Sequence, residues 1–115
     1  MVKYLLPFLI SIPVYANAYF IDGNKLDSYT SSLDKSNYGE VLSIQQAVDS
    51  STFLGYVTGV FDTGVGIYFC PENNIEYKQV TDIVTMYLRY HPEKRHEKAS
   101  NLVIQSLAEK FPCKK

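Results

Sequence analysis

A chain of 115 residues, 46% hydrophobic and 20% charged, has room for one small domain. Its formal net charge of −1 leaves no basic face for nucleic acid, and no Lys/Arg-rich amphipathic segment is present to lie on a membrane. Beyond the N-terminal leader, no hydrophobic stretch is long enough to span a bilayer.

The N-terminus reads as an export signal. Met1–Lys3 is a short basic region, Tyr4–Val14 an apolar core interrupted by Pro7 and Pro13, and Ala16-Asn17-Ala18 a small-residue cleavage site. Cleavage after Ala18 would place residues 19–115 in a bacterial periplasm, with ten basic and twelve acidic residues and a net charge of −2. A domain of that size has a core that alone leaves it marginally stable. Two cysteines in a short exported chain, Cys70 and Cys113, most simply form one disulfide. Closing a loop of that length restricts the unfolded chain by about 4 kcal/mol in the entropy model. A metal site would need more ligands than two thiols, and His91 and His96 are at unhelpful spacing beside them, so neither a metal nor a cofactor is expected.

Beyond the leader, Ile21-Asp22-Gly23-Asn24 is a turn signal, and Leu26, Tyr29 and Leu33 place a short helix over Lys25–Leu33. Asp34–Gly39 is polar and reads as a loop. Glu40–Asp62 carries the first long helical pattern, with Val41, Ile44, Val48, Phe53 or Leu54, Val57, Val60 and Phe61 on a broad stripe. Asp49-Ser50-Ser51 is a candidate loosening in its middle. Gly55 and Gly59, four apart, share a face and would let another helix of the domain approach closely. Thr63–Gly66 ends the helix, Ile67–Cys70 is either a short strand or the approach to the bridge, and Pro71–Asn74 is a turn.

The next helix opens on Glu76 with Gln79 three residues on, a partial capping box, and Ile75 placed to staple against Val80. Val80, Ile83, Val84, Tyr87 and Leu88 form a regular apolar stripe. Tyr90-His91-Pro92 stops it, because proline disfavours helical geometry in the residue before it. Pro92 suits the first position of a last helix, with Glu93 in the first turn and Ala99, Leu102, Val103, Leu107 and Phe111 buried. Pro112 ends that helix beside Cys113. The expectation is an all-α bundle of three to four helices with one disulfide and a C-terminal αα-hairpin.

No catalytic constellation stands out. A bridged cysteine is no nucleophile, and His91 before proline reads as a helix N-cap. His96 sits among Lys94, Arg95, Glu97 and Lys98, a solvated face on which Glu93, Lys94, Glu97 and Lys98 would pair along the helix. Asp62, beside Gly64 and Gly66, is a lone carboxylate suited to capping exposed backbone groups. The glycines sit inside or after a helix with no strand before them, which is not a phosphate-binding loop. The ten tyrosines, among them Tyr56, Tyr68, Tyr77, Tyr87 and Tyr90, serve either a core edge or an interface.

Three segments carry a family resemblance. GYVTGVFD (Gly55–Asp62), FCPENNIEYKQVTDIVTMYLRYHPE (Phe69–Glu93) and A-x-x-LV…L-x-x-x-FPC (Ala99–Cys113) resemble the Rap/Tai family of periplasmic immunity proteins against type VI secretion amidase effectors. The ordered set is Gly55, Tyr56, Gly59, Asp62, Cys70-Pro71, Gln79, His91-Pro92 and Phe111-Pro112-Cys113. The resemblance implies a non-enzymatic, all-helical protein, usually a homodimer, that blocks a papain-like peptidoglycan amidase. It also implies the Cys70–Cys113 bridge. Many members carry a second cysteine pair; this chain has Tyr29 or Thr30, and Thr52 or Phe53, in those regions. The loops Thr63–Gly66 and Pro71–Asn74 are the expected contacts, through Gly64, Gly66, Glu72, Asn73 and Asn74. A small helical chaperone or stress protein of the periplasm is the alternative, and would bind many unfolded clients where an inhibitor binds one partner.

Overall fold

The computed structural model describes residues 19–114, so the expected leader and its cleavage site lie outside the described residues. Five α-helices succeed one another: α1 (Gly23–Ser28), α2 (Thr30–Asn37), α3 (Ile44–Gly64), α4 (Tyr77–Tyr90) and α5 (Ala99–Lys110). A 3-10 turn, Pro92–Lys94, sits between the last two. Among the described residues there is no β-strand, only two isolated bridges. The all-α architecture expected from the sequence is the one that forms.

The clearest pattern gives the clearest helix. In α4, Val80, Val84, Tyr87 and Leu88 are buried, while Lys78 and Asp82 on the outer face pair at 2.9 Å. Its start is capped as the residue types require, with the Glu76 amide donating to the Gln79 side chain at 2.9 Å. Helix α5 turns Ala99, Leu102, Val103 and Leu107 against it, and Phe53 and Val57 of α3 complete the core with Leu26, Leu33 and Phe69. Each such fully buried side chain is worth roughly 1.5–3 kcal/mol over leaving it in water. Helices α2 and α3 pack together with Thr30 and Phe53 buried.

Several boundaries differ from those read in the sequence. The segment expected as one helix over Lys25–Leu33 is two, broken at Tyr29, and the second runs on through residues expected as loop. Asp22 caps α1 by accepting from the Lys25 amide at 2.8 Å, so the turn signal is a helix start. Helix α3 begins at a Ser43/Gln46 capping box rather than at Glu40, and runs unbroken past Asp49–Ser51, with Ser50 buried, to Gly64. Val41, Ile44 and Val48 were expected in the core stripe but are 97%, 87% and 52% exposed. The core takes the other face of α3, the one that carries Phe53 and Val57.

Pro92 does not start the last helix. It opens the 3-10 turn, and α5 begins seven residues later. The hairpin is therefore joined by a longer connection, and the reason lies in α1. The Gly23 and Asn24 amides, orphan donors of its first turn, take the carbonyls of Glu97 (2.9 Å) and Arg95 (2.8 Å), and Arg95 pairs with Asp27 at 2.6 Å. A side chain at Gly23 would come within 2.8 Å of the Arg95 backbone, so glycine lets the two strands of chain meet. Glu93, Lys94, Glu97 and Lys98 consequently make no helical pairs. Lys94 instead reaches the Tyr87 hydroxyl at 3.3 Å, a hydrogen bond that holds its pKa above the ordinary lysine value.

Candidate functional site

The end of the bundle beyond α3 is held by backbone bonds and sulfur rather than by a large core. Cys70 and Cys113 form the expected disulfide, with Cα atoms 4.8 Å apart. Alongside it, the Cys70 amide donates to the Phe111 carbonyl at 2.7 Å, so the chain leaving α3 and the tail leaving α5 are joined twice. Upstream, residues 64–69 close a tight knuckle. Gly66 adopts a left-handed φ of 81° and its amide donates to the Phe69 carbonyl at 2.8 Å. The Ile67 and Tyr68 amides return to the Gly64 carbonyl at 3.0 and 2.9 Å. Phe69 is fully buried against Phe61, with ring centres 5.2 Å apart. The segment is the approach to the bridge, not a strand.

These constraints frame a groove of about 610 Å³ between the Pro71–Asn74 turn and the tail. Its floor includes Ile75 and Ile83, its rim Glu72, Asn73 and Asn74 on one side and Lys110 and Lys114 on the other. Glu72 and Lys114 pair across it at 2.7 Å, both largely in solvent, an arrangement worth little to stability. Three of the residues expected to meet a partner, Glu72, Asn73 and Asn74, thus lie exposed together on one rim.

The other two sit elsewhere. Gly66 is exposed on the knuckle, whereas Gly64 is buried as the last residue of α3, where a Cβ would approach the Phe69 ring to 2.8 Å. Of the family-motif positions, Pro71, Gln79, Phe111 and Pro112 line the groove. Gly55 and Gly59 were expected to admit another helix of the domain. A Cβ at either would meet nothing within 4 Å, so no part of the described chain packs there. They lie with Tyr56 beside a second groove of about 610 Å³ flanked by Lys98, Asn101 and Ile104. Asp62 is exposed one turn further along and takes no hydrogen bond among the described residues. Of the apolar tips of the knuckle, Tyr68 (56% exposed) is one of the tyrosines suited to an interface. Ile67 (68% exposed) carries no such sign in the sequence, because an apolar run beside a cysteine signals burial.

Nothing in this geometry assembles a reacting centre. His91 stacks on Tyr87 with ring centres 4.1 Å apart, and its Nδ1 lies 2.9 Å from the Tyr87 carbonyl, which fixes the proton on that nitrogen. It ends α4 as its C-cap and stands at the N-cap position of the 3-10 turn, where its side chain makes no capping bond because it faces back to α4. Both cysteines are consumed in the bridge. Among the described residues, no three of His, Cys, Asp and Glu lie close enough to share a metal ion. No described helix is long and apolar enough to cross a membrane.

The described residues form a small helical protein, clamped by one disulfide and presenting a polar turn over a groove. The chain belongs to the Rap1a immunity protein family, whose family model matches residues 24–113. That match spans every described helix but the first residue of α1. No curated protein matches the chain. Membership in a family of immunity proteins implies a protein partner, the effector against which immunity is directed.

Proposed function

We propose that this protein acts in the periplasm as the immunity partner of a type VI secretion peptidoglycan amidase, binding the enzyme as a homodimer and covering its catalytic cleft so that the producing cell is spared. The observation that carries this reading is the family match over residues 24–113, which includes both cysteines and every residue lining the groove but Lys114. The N-terminal leader supports the compartment, because peptidoglycan and any amidase attacking it lie outside the inner membrane.

The clamped end supplies the physical means. A loop already fixed by a disulfide and a 2.7 Å backbone bond loses little freedom when it enters a cleft, so little of its contact energy is spent on ordering. Asn73 and Asn74 each offer a donor pair and an acceptor, and Glu72 offers acceptors alone, which suits a protonated histidine or a thiol. The test is inhibition of a secreted amidase encoded beside this gene by the purified protein. Equimolar protein is expected to abolish peptidoglycan cleavage, and Asn73→Ala with Asn74→Ala to weaken binding roughly tenfold to thirtyfold, as removal of a hot-spot pair does. Full amidase activity in the presence of excess protein would end the reading. Capture of many unfolded clients with no preference would favour a chaperone instead.

A further inference from the structure

We propose that the Cys70–Cys113 bridge is a redox latch on the groove beside the Pro71–Asn74 turn. Reduced to two thiols, it frees the tail beyond Phe111, removes one wall of the groove and leaves the helices standing. Little else holds that wall. Phe111 packs against the core and its amide donates to the Leu107 carbonyl at 2.8 Å, so the tail is secure up to that residue. Beyond it, among the described residues, the amides of Cys113 and Lys114 make no backbone bond. Pro112 and Lys114 are exposed, and the Glu72–Lys114 pair lies in solvent, where such a pair adds little. What remains is the disulfide.

The facing wall is held in a similar way. Among the described residues, no amide or carbonyl from Pro71 to Ile75 takes part in a backbone hydrogen bond. The turn is fixed at its two ends, by Cys70 on one side and by half-buried Ile75 and the Glu76 cap on the other. Cutting the bridge leaves Cys70 with its single 2.7 Å bond to Phe111. The core is built from other residues: Leu26, Phe53, Val84, Leu88, Leu102 and Leu107 are buried and none of them lines the groove. Loss of the bridge therefore acts on the groove directly, and on the helices only through the entropy of the unfolded chain.

The sulfurs are placed for exchange. Neither cysteine is buried, and both line the groove, so a thiolate reaches them from solvent. The reductant is a dithiol. One of its sulfurs, as thiolate, attacks Cys113, and Cys70 leaves and takes up a proton. Its second sulfur attacks the mixed disulfide, and Cys113 leaves and is protonated in turn. Two electrons and two protons pass to the chain, and the dithiol becomes a disulfide. For the function proposed above, on which this consequence rests, the latch sets the order of events. A chain made where thiols are kept reduced carries an open groove. The groove takes its binding shape only on oxidation, so the unexported chain leaves the cell's own amidase free for secretion. A bound effector in turn makes the bridge harder to reduce, because coupling between two sites is reciprocal.

The experiment is amide NMR on the 19–115 chain, oxidised and in dithiothreitol, beside the double variant Cys70→Ser with Cys113→Ser, which lacks the bridge without any reductant. On reduction the Cys113 and Lys114 amides are expected to sharpen to free-chain signals, and Lys114 to do so in the variant. The amides of Leu88, Leu102 and Leu107 are expected to keep their exchange protection throughout. A tail that stays ordered without the bridge overturns the proposal. So does loss of protection in those three, which would make the bridge a staple of the whole fold. The second measurement is inhibition of a purified amidase encoded beside this gene. The oxidised chain is expected to inhibit at least about tenfold more tightly than the double variant, from the ordering cost of the freed tail. Equal inhibition by the two shows that the bridge does not control the groove, and overturns the proposal. An oxidised chain that fails to inhibit, with the tail still released on reduction, sinks the amidase reading and leaves the latch in place.

Discussion

The two ends of α3 are stabilised by different means. At its C-terminal end Gly64 is buried under the Phe69 ring, the chain doubles back through four backbone bonds, and a disulfide ties the returning segment to the tail. At its N-terminal end Ile44 and Val48 stand in solvent beyond a capping box, and α2 covers only the inner side. The first end is polar at its rim and fixed; the second is apolar and uncovered. Leaving apolar side chains exposed runs against what a small domain needs for stability, whereas the disulfide that fixes the polar end adds to it.

The contrast is most sharply broken at the bridge. Replacing Cys70 and Cys113 with alanine together should cost about 4 kcal/mol, as expected for cysteines 43 residues apart. For a domain of this size that lowers the thermal midpoint by on the order of 20 °C, measured by calorimetry. The glycines of α3 should then divide by position. Gly64→Ala forces the buried Phe69 ring aside and should destabilise by about 1–3 kcal/mol in urea unfolding. Gly59→Ala, in open space on the same helix, should stabilise by about 1 kcal/mol through helix propensity. Equal effects at the two sites would show that the ends are held alike. Among the described residues the buried hydroxyl of Thr85 in α4 has no partner, and Thr85→Val should be neutral or stabilising by about 1 kcal/mol in the same assay. Breaking the solvated pair with Glu72→Ala should change stability least of all, within about 0.5 kcal/mol, while weakening effector binding.

How much of the fold and the site was legible in the sequence varied with the kind of signal. Helix α4 could be read almost to the residue, because its apolar stripe and its Glu76–Gln79 cap are both local. The bridge was legible because a short chain with two cysteines leaves few alternatives. The α3 stripe misleads at its start: Val41, Ile44 and Val48 have the same spacing as a core face and are not in it. Periodicity tells which residues share a face, not what covers that face. The rim of Glu72, Asn73 and Asn74 shows in its turn composition, whereas Ile67 does not show, since only the knuckle around Gly66 turns it outward.

By itself the sequence determined the helical class, the order of the long helices, the cap of α4 and the single covalent link, because each depends on residues within a few turns of one another or on the only two thiols present. The tertiary structure alone decided where α5 begins and which faces are left bare. The first depends on α1 reaching across some seventy residues to take the carbonyls of Arg95 and Glu97. The second depends on how many helices a chain this short can wrap around its core, and five are too few to cover every apolar side chain.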